Sequence, residues 1–458
     1  MACHDLHDLI AGLERDGELR RIGAEVDPVL EVAAITDRVC KSPGGGPALL
    51  FERVRGSALP VATNLFGSPA RMARALNVAA LSQLTDKVEA LLASGGADAP
   101  DLLPAGRCRE VVDKDFDLLS LPALQGWPGD GGRFLTLPLV MTDDPATGAV
   151  NCGLYRVRLF DRDRAGIHWY PSSGGAGHYR KYQEAGRRMP VAVALGGSPA
   201  LLLAASLPLP EELTETALAA AVAGAPVPMV RCMTCDLPVP ADAEVVIEGY
   251  LEPGETLPDG PFGNHTGYYG PSAEVPVLHV TAITRRRDAI VPATVVGPPP
   301  MEDCWLAKAG ERVMLPFLRR EMPELAELNF PLEWIFHRSA IISAAVEHAD
   351  HGREIMACLW KSRWLSGARL LILVDRDTDP QDLAGVAWKL MNRVDWQRDL
   401  VVVPPDAADA RRQAWLPGGA GRMGIDLTRC GDGSGRCALR QDDTIVRMVN
   451  ERWNEYGL

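Results

Sequence analysis

The sequence EVVIEGYLEPGETLPDGPFGNHTGYYG, residues 244–270, decides the interpretation of this chain. It opens with a β-branched run that predicts a strand, and it continues into a segment rich in the turn-forming residues glycine and proline. Its acidic and imidazole side chains include Glu248, Glu252, Glu255, Asp259 and His265. Because functional groups are often carried on loops that a rigid sheet holds in place, the stretch is either a site or an ordinary hairpin connection.

Composition excludes several classes of protein. A chain of 458 residues is too long for one compact core, so two or three domains are expected. Its 47% hydrophobic and 23% charged residues fit a globular chain. The net charge of −13 argues against nucleic acid or an anionic membrane as the main partner, since both require a basic surface. Small anionic ligands stay possible, because local arginine clusters can oppose the overall charge.

The sequence also predicts a cytoplasmic protein without a membrane span. Residues 1–21 are amphipathic and charged, and they lack the apolar core of a signal peptide. The most apolar runs, residues 201–209 and 217–230, are interrupted and too short to cross a bilayer. The 10 cysteines, scattered from Cys3 to Cys437, suit reduced thiols better than a disulfide framework.

Periodicity predicts a multidomain chain of mixed α+β and α/β class. Helical spacing at residues 5–16, 31–40, 68–79 and 81–94, with short strands at 48–51 and 59–63, indicates an N-terminal α/β domain over residues 1–104. We read residues 95–104 as a linker that ends this domain.

A second domain is predicted over residues 105–303. Strand-like runs at 137–142, 152–159, 192–195, 244–251 and 277–284 indicate a sheet or barrel, and residues 211–222 form a helical insertion.

The C-terminal part is predicted to be a third domain. A connecting helix over residues 304–330 precedes strand–helix alternation: a strand at 370–374, a helix at 381–393 and the next strand at 399–403. We interpret these as βαβ units of an α/β domain spanning 331–458. Its final amphipathic helix, residues 443–456, could dock against another domain or subunit.

The spacing of two short motifs is only weak evidence for a functional site. Cys232 and Cys235 have the C-x-x-C spacing of redox or zinc sites, but no second pair follows at a matching distance. Gly419, Gly421 and Gly424 match a dinucleotide-binding glycine pattern, yet no strand leads directly into it, so a glycine-rich loop is the better interpretation.

The segment NCGLYR, residues 151–156, is more informative. An asparagine oxygen and a carboxylate are suitable ligands for a divalent metal that bridges a phosphate. Arg156 in a cleft would bind a carboxylate through its planar fork. From spacing alone, a capping role for Asn151 and a surface position for Arg156 remain the simpler alternatives.

Several ordered motifs together resemble the UbiD family of decarboxylases. They are DLHDLIAGLERDGELRRI (5–22), GGPALLFERVRG (45–56), LPVATNLFGS (59–68), NCGLYRVRLFDRD (151–163), VAVALGGSPA (191–200), VPADAEVVIEGYLEPGE (239–255), PDGPFGNHTGYYG (258–270) and PGGAGRMGIDLT (417–428). The resemblance covers nearly the whole chain.

The resemblance implies a specific chemistry and architecture. Members of that family use prenylated FMN, supplied by a partner flavin prenyltransferase, to decarboxylate aromatic or α,β-unsaturated acids reversibly. Their fold consists of an N-terminal α/β domain, a split β-barrel cofactor domain like that of flavin reductases, and a C-terminal α/β domain that supports oligomerisation. Dimers or hexamers are expected.

The resemblance also implies the site residues. Asn151 and Glu215 match metal ligands for Mn²⁺, with K⁺ beside it, which tether the flavin phosphate. Arg156 matches the arginine that orients the substrate carboxylate. The cofactor-contacting positions are Leu154, Tyr155, Arg156, His168, Trp169, Tyr170, Ser173 and Gly174.

Three positions depart from the family pattern. Ser172 stands where the family has its third metal ligand, a histidine, and a neighbouring basic residue is also missing. Asp259 stands where the family has glutamate. Asn264 stands where the family has the acid that protonates the substrate carbon, and an amide has no accessible pKa. The catalytic positions are therefore Arg156, Asp259 and Asn264.

These departures leave three interpretations open. The first is a working decarboxylase in which Asp259, His265 or a water supplies the proton. The second is a different reaction with the same prenylated flavin. The third is a degenerate relative that binds a flavin or a partner without decarboxylation.

Overall fold

The computed structural model describes residues 3–95, 100–336, 338–405, 421–428, 439 and 441–457. Residues 419 and 420 of the predicted glycine motif lie outside these residues. Cys430 and Cys437 also lie outside them. Within the described residues, no helix is long and apolar enough to cross a membrane.

The N-terminal part mixes helices and strands, as predicted. Its elements are α1 (Leu6–Arg15), β1 (Leu19–Val26), α2 (Glu31–Cys40), β2 (Ala48–Val54), β3 (Val61–Thr63), α3 (Pro69–Ala75) and α4 (Gln83–Ser94). Strand β1 pairs parallel to β2, and β2 pairs antiparallel to β3. Helix α1 buries the apolar face that its spacing predicts, and the Asp5 side chain caps its first turn.

The central part is dominated by strands. They are β4 (Asp101–Leu103), β5 (Val111–Asp113), β6 (Phe134–Leu135), β7 (Pro138–Asp143), β8 (Val150–Leu154), β9 (Val157–Leu159), β10 (Arg164–Ile167), β11 (Met189–Gly196), β12 (Pro228–Arg231), β13 (Pro238–Pro240), β14 (Ala243–Asp259), β15 (Phe262–Gly263), β16 (Tyr269–Gly270), β17 (Ala273–Arg285) and β18 (Val291–Pro292). The helices among them are α5 (Gly174–Glu184), α6 (Pro199–Ala205) and α7 (Glu215–Ala223).

Nine of these strands form one large sheet with the order β6-β9-β10-β17-β14-β11-β7-β8, in which β5 also pairs with β17. Its longest pair is the antiparallel hairpin β14–β17, whose register shifts between Glu248 and Gly249 and again between Leu251 and Thr256. Such irregularities bend a strand and redirect its side chains. They allow β14 to continue to Asp259, well beyond the predicted strand end at residue 251.

Two expectations about the central part are corrected. The predicted linker at residues 95–104 contains β4, which pairs parallel to β12 and so belongs to a small sheet. The single strand predicted at 152–159 is two strands, because the chain leaves the sheet at Tyr155 and Arg156. This break frees the Arg156 side chain from the regular alternation of the sheet.

The C-terminal part is a mixed sheet flanked by helices. Its elements are α8 (Glu302–Glu321), β19 (Leu325–Asn329), β20 (Ser339–Ala344), α9 (His351–Leu359), β21 (Leu370–Asp375), α10 (Leu383–Arg393), β22 (Leu400–Val403), β23 (Arg422–Asp426) and α11 (Asp443–Glu451). The strand order is β19-β20-β21-β23-β22.

The βαβ interpretation of this part holds only for the centre of the sheet. Strands β20, β21 and β23 are parallel, whereas β22, predicted as the next parallel strand, is an edge strand antiparallel to β23. A contiguous apolar core joins this part to the rest, since Leu13 of α1, Val313 of α8 and Leu373 of β21 belong to the same cluster.

Candidate active site

The centre of the site is a contact among Arg156, His168 and Asp259. Asp259 is the last residue of β14, His168 follows β10, and Arg156 lies in the break between β8 and β9. The Arg156 Nη2 donates to Asp259 Oδ2 at 2.6 Å, and His168 Nδ1 lies 3.0 Å from the same oxygen. Three separate strands therefore deliver one charged cluster to a single point.

The Asp259 carboxylate is ionised in this setting. Its side chain is 1% exposed, so burial raises its pKa, but the His168 hydrogen bond and the Arg156 charge outweigh burial and hold the pKa below its ordinary value. Within the described part of the chain, Asp259 Oδ1 and Arg156 Nε are buried without hydrogen-bond partners. Because such atoms are costly when unsatisfied, they mark where a polar ligand would bind.

Two aromatic rings form a wall beside the guanidinium. The Arg156 guanidinium carbon lies 4.6 Å from the centre of the Phe262 ring and 5.9 Å from that of Phe134. The two rings contact each other edge to face, with centres 4.7 Å apart. The cation–π contacts orient the guanidinium and make its surroundings apolar.

A second cluster lies around Asn151, on β8. The Asn151 Nδ2 is buried and has no hydrogen-bond partner among residues that the structure describes. A Cβ atom added to Gly174 would lie 2.0 Å from Asn151 Oδ1, so a glycine is required at this close approach. Burial raises the pKa of Tyr155, and hydrogen bonds with Ser173 and Asn151 oppose that rise.

Glu215 joins the second cluster from the first turn of α7. Its Oε2 accepts a hydrogen bond from the Cys152 backbone N–H at 3.2 Å, which places it next to Asn151. Burial raises the pKa of this carboxyl group to about 7. Asn151 and Glu215 together supply hard oxygen donors of the kind that bind divalent cations and their phosphate partners.

The remaining residues predicted to contact a cofactor lie along this face or at its edge. Leu154 ends β8, and the Trp169 ring packs 5.9 Å from those of Tyr155 and Tyr179. Ser173 caps α5, whereas Tyr170 is 66% exposed.

Ser172, the predicted third metal ligand, is exposed in the turn that precedes α5. Two histidines are possible replacements, and the structure separates them. His168 is engaged with Asp259, so it belongs to the arginine cluster. His178 Nδ1 lies 3.0 Å from Thr142 Oγ1, and Thr142 pairs with Asn151 in the sheet. His178, on α5, therefore contacts β7 at the residue that pairs with Asn151.

Asn264 occupies the turn between β15 and β16. Its Oδ1 accepts hydrogen bonds from the Thr266 backbone N–H at 2.9 Å and from the Thr266 hydroxyl at 2.6 Å. The amide oxygen is therefore used within the turn, and only Nδ2 is left to donate to a ligand.

His265 is a poor source for the proton that Asn264 lacks. Its ring stacks on Phe336 at 5.0 Å, and burial, with the nearby Arg338 charge, lowers its pKa to about 4. The imidazole is neutral at neutral pH, so the sequence-based alternative that assigns the proton to His265 is disfavoured.

Asp130 is a positioning residue that the sequence analysis missed. Its Oδ1 accepts the Gly263 N–H at 2.7 Å, and its Oδ2 accepts the N–H groups of Gly126 and Trp127 at 3.0 and 2.8 Å. This carboxylate ties the Asn264 loop to the turn at residues 126–130. The sequence Trp-Pro-Gly-Asp could have indicated a turn at Asp130. It could not have indicated the loop that Asp130 binds, because that loop is distant in the chain.

Family models match nearly the whole sequence. The N-terminal, Rift-related and C-terminal domains of 3-octaprenyl-4-hydroxybenzoate carboxy-lyase match residues 10–91, 103–299 and 304–427. The chain belongs to the UbiD family. The resemblance inferred from the motifs is thus confirmed, while the domain boundaries predicted at residues 104, 303 and 330 stay predictions.

Relatives of this UbiD protein share its full length. An uncharacterised protein of Archaeoglobus fulgidus is 39% identical over 479 residues, 99% of both chains. The closed form of vanillic acid decarboxylase from Sedimentibacter hydroxybenzoicus has a TM-score of 0.90 at 26% identity, covering 100% of this chain and 99% of that one. The UbiD-class enzyme HmfF from Pelotomaculum thermopropionicum, solved with FMN, has a TM-score of 0.85 at 30% identity, covering 97% and 98%. The predicted fold class is confirmed.

Replacing Asp130 tests its positioning role in this UbiD protein. Asp130→Ala leaves the three backbone donors unsatisfied, at about 1–3 kcal/mol for each one that stays buried. We expect faster hydrogen–deuterium exchange in residues 258–270 and a lower free energy of unfolding in urea. Asp130→Asn keeps one acceptor oxygen and should be intermediate. Exchange in the alanine variant equal to that of the unmodified chain would contradict this role.

Proposed function

We propose that this chain is a prenylated-FMN-dependent decarboxylase, acting reversibly on an aromatic or α,β-unsaturated carboxylic acid. The proposal rests on the surroundings of the Arg156 guanidinium. Buried Asp259 pairs with the guanidinium, and aromatic rings lie beside it. A guanidinium in such a setting recognises a carboxylate beside a planar, apolar group. Relatives that act on vanillic acid or bind FMN support the same class of ligand and cofactor.

The Asn151 cluster fits the phosphate end of a flavin. Asn151 and Glu215 would bind Mn²⁺, with K⁺ beside it, and the cations would offset the negative charge of the phosphate. Ser173 and Gly174, at the N-terminus of α5, would bring backbone N–H groups close to that phosphate. We assign the third protein ligand to His178, because Ser172 is exposed and burial lowers the pKa of the His178 imidazole, which favours its neutral, metal-binding form.

The bound prenylated flavin would supply an electrophilic ring that accepts electron density as CO₂ leaves the substrate. The chain's own residues do the positioning. Arg156 binds the substrate carboxylate, Asp259 fixes the guanidinium by an ion pair, and His168 contacts the same Asp259 oxygen. Phe262 and Phe134 keep water from the face of the guanidinium.

Proton delivery is the step in which this chain departs from its family. Asn264 has no ionisable proton, and burial keeps His265 neutral. Asp259 is held ionised and paired. We therefore assign the proton to a water molecule that accepts a hydrogen bond from Asn264 Nδ2.

The same observations favour a second candidate. A turn-capping amide at residue 264 and an exposed serine at residue 172 also suit a UbiD-like protein that binds a flavin or a partner without decarboxylation, or that catalyses a different prenylated-FMN reaction. For either prenylated-FMN reaction, a flavin prenyltransferase would supply the cofactor, and the chain would assemble as a homo-oligomer.

Arg156→Ala tests the carboxylate-binding role. We expect decarboxylation, and hydrogen–deuterium exchange into the product, to fall by about 10²–10³-fold, the usual cost of losing a preorganised charged donor. The substrates are panels of aromatic and α,β-unsaturated acids, read by released CO₂. Arg164→Ala, which breaks only a surface ion pair with Asp161, is the matched control. Equal activity of the Arg156 variant and the unmodified chain would refute the assignment.

Asn264→Asp tests the origin of the proton. If water-mediated proton transfer limits the rate, a carboxylic acid at this position should raise product exchange in D₂O by about tenfold or more, within the range of general acid catalysis. Asn264→Ala should lower it, because Nδ2 is lost. A neutral or harmful effect of aspartate would show that the site depends on the amide itself.

A further inference from the structure

A compact group of metal-binding side chains lies outside the proposed active site. Cys232 and Cys235 occupy the turn between β12 and β13, and Glu248 lies on the neighbouring strand β14. Cys232 is buried, Cys235 is half-buried, and Glu248 is 1% exposed. One ligand atom from each residue lies within 4.8 Å of the other two.

The turn is already organised around the Glu248 carboxylate. Its Oε1 accepts the Met233 N–H at 2.8 Å, and its Oε2 accepts the N–H and hydroxyl of Thr234 at 2.6 and 2.8 Å. These bonds hold the turn that carries the two cysteines against this carboxylate. Oε1 accepts only one of these hydrogen bonds and keeps a second lone pair, so the carboxylate retains capacity to bind a cation.

We propose that Cys232, Cys235 and Glu248 bind a thiophilic divalent cation, with Zn²⁺ as the representative ion. Two thiolate sulfurs and a carboxylate oxygen are a zinc donor set, and their mutual separations suit ligands around one ion. The sequence showed only the C-x-x-C half of the site, because the third ligand comes from another strand. A water molecule completes a tetrahedral shell.

The two thiols differ in how readily they lose a proton. The hydrogen bond with Cys235, and then burial, raise the pKa of the Cys232 thiol, whereas the same hydrogen bond lowers the pKa of Cys235. Binding of the cation displaces both thiol protons to solvent, and no electron is transferred. Among the residues that the structure describes, the donors to the Glu248 carboxylate are neutral, and the cation would balance its charge.

The position of the site indicates a structural role. The Thr234 hydroxyl lies 2.7 Å from that of Thr281 on β17, so the turn contacts both strands of the long hairpin that carries Asp259. Met233 is 52% exposed, which gives the ion a path from solvent. A bound cation would fasten the β12–β13 turn to the base of the hairpin.

Cobalt substitution in the full-length chain tests the proposal. The residues proposed for the Asn151 site offer only oxygen and nitrogen ligands, so a thiolate-to-Co²⁺ charge-transfer band that depends on Cys232 and Cys235 reports the cysteine site. We expect this band after reduction and addition of Co²⁺, its loss on titration with about one equivalent of Zn²⁺, and its absence in Cys235→Ser and Cys232→Ser. Cys358→Ser, at an exposed cysteine, should retain it, and Glu248→Gln should weaken it.

A second measurement uses the unmodified chain, so it does not depend on whether the variants fold. In the unmodified chain, Zn²⁺ should slow alkylation of Cys235 by iodoacetamide while alkylation of Cys358 proceeds unchanged. Absence of the charge-transfer band, a band that survives Cys235→Ser, or equal alkylation with and without Zn²⁺ would overturn the proposal. Conversion of the two thiols to a disulfide by oxidised glutathione in the presence of Co²⁺ would overturn it as well.

Discussion

The ion pair between Asp259 and Arg156 is the interaction on which the site depends. A carboxylate with 1% exposure is costly unless it is paired and hydrogen-bonded, and here Arg156 and His168 both meet one of its oxygens. Three features of the sheet make this contact possible: the irregular register of β14, the break after β8 and the end of β10. The architecture of the central sheet therefore serves to assemble charges that are far apart in sequence.

The same pair explains how the chain accommodates a shorter acid. The family resemblance implies glutamate at position 259, and aspartate is one methylene shorter. Asp259 nevertheless reaches Arg156 Nη2 at 2.6 Å, and the Asp130 carboxylate holds the following loop through Gly263. Hydrogen bonds between the 126–130 turn and this loop position the backbone that follows Asp259. This placement of the backbone compensates for the shorter side chain of aspartate. Asn264 differs in kind, because no change of position gives an amide an acidic proton.

Local patterns predicted much of the fold. The helix predicted at 31–40 is α2, and the amphipathic face at the N-terminus is buried in α1, since both follow from side-chain periodicity. The strand at β22 was predicted, but its antiparallel direction was not, and neither was the pairing of β4 with β12. Strand partners and direction depend on contacts between distant segments, which periodicity does not encode. The site shows the same division: ordered motifs indicated Arg156 and Asp259, whereas Asp130, and Glu248 beside the cysteine pair, emerge only from tertiary packing.

Native mass spectrometry of the chain, produced together with a flavin prenyltransferase, tests the central claim most directly. We expect a bound mass equal to prenylated FMN plus one divalent metal ion, and loss of both in Glu215→Ala. We also expect that Ser172→Ala retains both, whereas His178→Ala loses metal. A chain that stays free of flavin under conditions where a UbiD relative is filled would contradict the account.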